Sequence, residues 1–222
     1  MHAGGFPIDL ILFGMIAAFL VLRLRSILGR RTGYERPAQF QPQPQPGPAA
    51  PGAVVIEGQA EPSAPHPGVP DPASALGQSL AAIAAQDPLF QPARFLGQAE
   101  QAFRMIVTAF AAGDRAALQA LVSPDVFHAF DQAIAARTSA GERQSTEIRA
   151  IPTIAIEAAD LAGRVARVTL RIVSDQVSLT SDAAGHPVSG TDAVTELTDV
   201  WTFERNLAGT DPAWRLAAVR GG

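Results

Sequence analysis

The chain has 222 residues, with 17 basic and 21 acidic side chains and a formal net charge of -4. Every basic residue is arginine, cysteine is absent, and the four histidines stand apart at positions 2, 66, 128 and 186. Thiolate catalysis, disulfides and cysteine metal sites are excluded, no histidine pair has a metal-ligand spacing, and no cofactor is expected.

The N-terminal segment carries thirteen consecutive apolar or small residues at 10–22 (LILFGMIAAFLVL), followed at once by Arg23, Arg25, Arg30 and Arg31. Residues 6–24 as a helix cover about 28 Å, close to the ~30 Å hydrocarbon layer of a bilayer. Asp9 is the only charge before Arg23. A signal peptide puts its positive charge ahead of the apolar run and a small-x-small cleavage site behind it, which is not the pattern here. The segment reads as a single membrane span, and the arginine bias places the N-terminus in the periplasm and the rest in the cytoplasm. Residues 1–36 balance at +3, residues 37–87 at -4 and residues 88–222 at -3, so the basic cluster is local. It suits anionic phospholipid headgroups, or serves only as a topology signal, and offers no groove for nucleic acid.

Residues 37–87 read as a disordered linker. Eleven prolines fall between 37 and 72, including the PQPQPGP run at 42–48. Proline removes backbone donors and fixes φ, which favours extended or polyproline-like chain. The apolar triplet Val54-Val55-Ile56 is a bland interruption, a transient contact or a short docking strand.

Residues 88–222 are long enough for a proper core. Phe95, Leu96, Ala99, Phe103, Ile106 and Phe110 recur at helical spacing, which predicts a helix ending near Gly113. Asp114 caps a second helix through Leu121, and Ser123-Pro124-Asp125 opens a third over 126–137 with Phe127, Phe130, Ile134 and His128 on the inward side. After Gly141 the period becomes two. Ile154, Ile156 and Ala158 mark one strand; Ala166, Val168, Leu170 and Ile172 mark the next. Strands over 193–205, with Leu197, Trp201 and Phe203 sharing a face, and 213–220, with Trp214, Leu216 and Ala218 inward, complete the set. Helices first and a largely antiparallel sheet afterwards mean α+β. A helix hairpin over a curved four-stranded sheet makes a cone, in which Phe95, Phe103, Phe127, Phe130, Trp201 and Trp214 fill the core or surround a ligand cleft.

The acid-base candidates are few. Asp125, His128 and Asp131 lie on one predicted helix, where His128 and Asp131 share a surface, although Asp125 serves more simply as a cap and Asp131 as a solvated acid. Asp199 is on the strand face of Trp201 and enters a cavity unless an irregularity turns it outward. No nucleophile, phosphate-binding glycine loop or metal site accompanies them, so no catalytic, cofactor-binding or metal residue is assigned and the chain does not read as an enzyme.

Both ends resemble one family. The run GFPIDLILFGMIAAFLVLRLRSILGRRTGYERP at 5–37 looks like the N-terminus of bacterial, particularly alphaproteobacterial, Tim44-like proteins. FLGQAEQAFRMIVTAFAAGD at 95–114, LQALVSPDVFHAFDQAI at 118–134, WTFER at 201–205 and WRL at 214–216 resemble the Tim44-like domain. The resemblance implies a cone-shaped domain of the nuclear transport factor 2 group. It also implies kinship with the mitochondrial inner-membrane translocase subunit, a scaffold for the import chaperone whose C-terminal domain contacts cardiolipin-rich membrane. The long charged helical region of that relative is missing here, which argues against a literal import-motor role. The implied protein is an inner-membrane adaptor in translocation or membrane-protein assembly, with a membrane-protein or chaperone partner and anionic lipid as its contacts. The alternative is a tethered domain that binds or turns over a small molecule. A homodimer is compatible with the fold group, though no segment specifies one.

Overall fold

The computed structural model describes residues 66–222. The expected span at 10–22 and most of the linker lie outside these residues; among the described residues no helix is long and apolar enough to cross a membrane. Four helices precede four strands: α1 (Ala75–Gln86), α2 (Pro92–Ala112), α3 (Arg115–Leu121), α4 (Pro124–Ser139), β1 (Arg143–Ala162), β2 (Val165–Ser181), β3 (Pro187–Asn206) and β4 (Arg215–Gly221). The expected α+β order holds.

The helix boundaries follow from capping chemistry. Ser74, Asp114 and Ser123 each accept a hydrogen bond from an orphan N–H of the turn they open, at Gly77, Ala117 and Val126. Pro92 and Pro124 occupy first-turn positions where a missing N–H costs nothing. Gly113 ends α2 at φ 73°, a left-handed conformation that residues with a Cβ adopt at a cost. Asp125, expected as a cap, sits instead in the first turn behind Ser123, where its charge favours the positive end of the helix dipole.

Helix α1 corrects the domain boundary. Residues 75–86 were expected within a linker running to 87, yet they form a helix that buries Leu80 and Ile83. The preceding prolines obscure a short amphipathic stretch rich in alanine, the strongest helix former. Even Gly68 belongs to the folded part, because its carbonyl accepts from the Ile156 N–H at 3.0 Å.

The sheet is an antiparallel meander in the order β1-β2-β3-β4. Helices α1 and α2 lie against β1, while α3 and α4 touch β4. The core joins Phe95, Leu96, Phe103 and Ile106 of α2 to Leu170, Ile172, Trp201 and Phe203 of the sheet. Phe103 packs on Trp201 with centroids 4.7 Å apart, and Phe95 meets Phe203 edge-on at 6.0 Å. Each such ring contributes about 1.5–3 kcal/mol through burial alone.

Register shifts bend the sheet and change which residues face inward. In β1 they fall at Ile148/Ala150, Ala150/Thr153 and Ile156/Ala158. The last moves Ala158 to the exposed side and brings Ala159 and Leu161 against the core, contrary to the unbroken alternation expected. A shift at Thr202/Phe203 does the same in β4, where Val219 packs inward and Ala218 is exposed. An extra residue on one strand rotates everything beyond it by half a period. The β2 and β3 strands also extend further than expected, to Ser181 and from Pro187.

Both tryptophans lie in this domain, so their fluorescence reports its unfolding in the full chain. Phe103→Ala should lower stability by about 3–5 kcal/mol. Gly97→Ala, where an added Cβ meets nothing within 4 Å on an exposed helix face, should raise it by about 0.5–1 kcal/mol. Urea titration of the two variants checks both signs.

Candidate functional site

The inner face of β2 changes chemistry halfway along. Ala166, Val168, Leu170 and Ile172 face the helices, and the same face continues as Ser174, Gln176, Ser178 and Thr180. Helix α2 ends at Ala112, and towards that end Phe110 and the C-terminal part of α4 face the polar half of the strand. Between them lies an open cavity of about 390 Å³, walled by Phe110, Ala133 and Ala136 on the helical side and by Ser178, Thr191 and Leu197 among others on the sheet.

Arg137 holds the rim together. Its Nη2 donates to the Phe110 and Ala111 carbonyls at 2.7 and 3.1 Å, capping the last turn of α2. Its Nη1 donates to Gln144 Oε1 on β1, and the guanidinium lies 5.2 Å from the Phe110 ring centroid. One planar group thus ties two helices and the sheet, a geometry suited to the arginine fork. Burial lowers the Arg137 pKa below the ordinary arginine value, with Glu142 opposing that shift; at any physiological pH the group stays charged.

The remaining polar wall is neutral and internally bonded. Thr146 and Ser178 hydroxyls are 3.0 Å apart, and buried Gln176 donates to Ser174 Oγ at 2.7 Å. Such a surface hydrogen-bonds without transferring protons, since no group on it titrates near neutrality. The two charged side chains at the rim are Arg137 and Glu142.

The acid-base candidates stand elsewhere. His128 is exposed and its Nε2 is 2.7 Å from Gln132 Nε2, while Asp131 pairs with Arg115; the His128–Asp131 pair does not form. Asp125 is exposed at the start of α4. Asp199 does turn inward beside Trp201, 5% exposed, but it does not line the cavity. Among the described residues, no group of three His, Cys, Asp or Glu is placed to hold a metal ion. The aromatics expected around a cleft mostly fill the core: Phe103 and Trp201 are buried, and Phe130 reaches the cavity only indirectly, 4.9 Å from Phe110.

Phe95 and Trp214 help line a smaller hollow of about 240 Å³ at the opposite end of α2. Its floor is the ion pair of Asp87 with Arg205 at 2.6 Å, side chains 7% and 15% exposed. This pair fastens the α1–α2 connection to β3.

The cavity rim was not found by sequence reading. The signal was present, since Ser174, Gln176, Ser178 and Thr180 keep the period of two after the aliphatic residues stop. Arg137→Met should cost about 2–3 kcal/mol, because it orphans helix-end carbonyls and the Gln144 amide oxygen. Arg137→Lys should recover less than half of that loss, as a point charge does not span both partners. Thermal melts of the two variants separate the outcomes.

No curated protein matches the chain. The intermembrane-space region of the chloroplast protein ARC6 is similar in structure, with a TM-score of 0.45 and 10% identity, over 60% of this chain and 99% of that one. The Tim44-like domain family matches residues 76–221, from the second residue of α1 to the end of β4. The chain belongs to the Tim44-like domain family.

Proposed function

We propose that the chain is a membrane-anchored, non-catalytic adaptor whose Tim44-like domain holds an apolar or amphipathic segment of a partner. The observation that carries this reading is the cavity beneath α4. Its walls are mostly apolar or neutral hydroxyl and amide; of the two charged groups at its rim, Arg137 is occupied by helix-end carbonyls and Glu142 stands beside it. That chemistry favours binding over reaction. The sequence supplies the setting: a single span at 10–22, arginines after it, and a proline-rich spacer that carries the domain clear of the bilayer. On this reading the N-terminus is periplasmic and the domain cytoplasmic, at the inner membrane of a bacterium. The work done there is protein translocation or membrane-protein assembly, with Arg23, Arg25, Arg30 and Arg31 against anionic phospholipid.

A small-molecule ligand is the second reading, favoured by a cavity volume within the ~300–1,000 Å³ of ordinary ligand clefts.

Because the chain lacks cysteine, Ala3→Cys places a unique thiol near the N-terminus. An impermeant maleimide added to spheroplasts should label it and leave a Cys at Asp160 unlabelled; the reverse pattern overturns the topology. A photo-crosslinking residue at position 133 of the full chain, activated in native membranes, should yield discrete protein adducts. Ala136→Trp, which fills the cavity, should cut their yield about tenfold, equivalent to ~1.4 kcal/mol. Adducts to lipid alone would move the reading to lipid binding. Turnover of a small molecule that depends on His128 or Asp131 would defeat the adaptor reading.

A further inference from the structure

The described chain begins on the edge of the sheet, within reach of the cavity. Gly68 is held against β1 by its bond to Ile156, and a Cβ placed on it would lie 3.1 Å from Leu96 Cδ1. Leu96 therefore marks where the spacer joins the domain. From Leu96, α2 rises about 21 Å to Phe110 at the cavity wall. Residues 57–67, stretched as polyproline-like chain, span about 34 Å. The chain just before them reaches the cavity with slack to spare.

That chain is Val54-Val55-Ile56, the only apolar triplet among residues 37–72. Its flanks, Pro51-Gly52-Ala53 on one side and Glu57-Gly58 on the other, leave three branched aliphatic side chains between small or polar neighbours. β-branched residues favour extended backbone, and an extended segment offers amide N–H and C=O groups to hydroxyl and amide partners. The cavity presents both halves of that match: Phe110, Ala133, Ala136 and Leu197 for the side chains, Ser178 and Thr191 for the backbone. Arg137 is spent on Phe110, Ala111 and Gln144, and the other charge at the rim is the Glu142 carboxylate, so the cavity disfavours an anionic ligand.

We infer that Val54-Val55-Ile56, which lies outside the described residues, docks into the cavity of its own chain and competes there with the outside partner. This rests on the reading of the cavity as a binding site. A tether of this length gives an effective concentration of order millimolar, so even a weak segment occupies the site until a stronger partner displaces it. The spacer then acts as a plug as well as a reach, and the cavity is free chiefly when a partner is at hand.

The absence of cysteine gives a direct test on the full chain in nanodiscs. Val55→Cys combined with Ala133→Cys should form an intramolecular disulfide under mild oxidation about tenfold faster than Val55→Cys with Asp160→Cys. The control site is exposed and lies only about 13 Å along β1 from Ile156, nearer the tether point, so random collision favours the control. Equal or faster reaction at Asp160 overturns the proposal, and a disulfide that links two chains assigns the segment to a second copy and overturns the intramolecular form. A second arm uses a diazirine-bearing long-chain alkanol, read by mass spectrometry as label on residues 133–144. Labelling should rise about fivefold when Val54, Val55 and Ile56 are all changed to Ser. Equal labelling with and without the triplet overturns the plug and leaves the binding site standing. No label on either protein removes the binding site itself, and the plug with it.

Discussion

The structure depends on the burial of one face of α2 against one face of a bent sheet. Phe95, Leu96, Phe103 and Ile106 recur on the helix and share one buried cluster with Leu170, Ile172, Trp201 and Phe203. Several large side chains here are wholly enclosed, including Phe103, Leu96, Leu170 and Ile172, each 0% exposed. This contact sets how far the helix reaches along the sheet. Beyond Ala112 the helix stops and the strands continue, and the difference in length creates the cavity.

Towards the end of the helix the inner sheet face turns from aliphatic to hydroxyl and amide side chains, the first of which, Ser174 and Gln176, are still buried and hydrogen-bonded to each other. β2 makes that change between Ile172 and Ser174 without breaking its alternation. Arg137 then closes the gap between layers by satisfying carbonyls that a helix C-terminus leaves unpaired. A charged group used in this way is unavailable for an anionic ligand. The cavity is therefore open and mechanically tied to the end of α2, with Arg137 and Glu142 as the charged groups at its rim.

Legibility in the sequence followed the strength of local signals. Ser123-Pro124 and Asp114 marked helix starts because capping is chemistry between neighbours in the chain. The face of α2 was legible because its apolar spacing persists over several turns. Helix α1 was hidden by the prolines ahead of it, although Leu76, Leu80 and Ile83 carry helical spacing. The inward residues of β1 and β4 were misjudged past their bulges, since a register shift depends on the partner strand and leaves no mark on the strand itself. Of the candidate acids, Asp199 turned inward with Trp201 by simple alternation, whereas the partners of His128 and Asp131 were set by Gln132 and, across helices, by Arg115.

The sequence by itself determined the order of elements, most helix caps, the strand faces up to their first bulge, and membership in a family readable in the C-terminal domain. It also determined the apolar run at 10–22, the arginines behind it and the isolated triplet at 54–56, because these are properties of composition along the chain. Only the tertiary structure decided that Arg137 joins two helices and a strand, that Asp87 and Arg205 meet across more than a hundred residues, and that a cavity opens where α2 falls short of the sheet. Those features arise from differences in length and register between elements. No window of sequence contains both sides of such a difference.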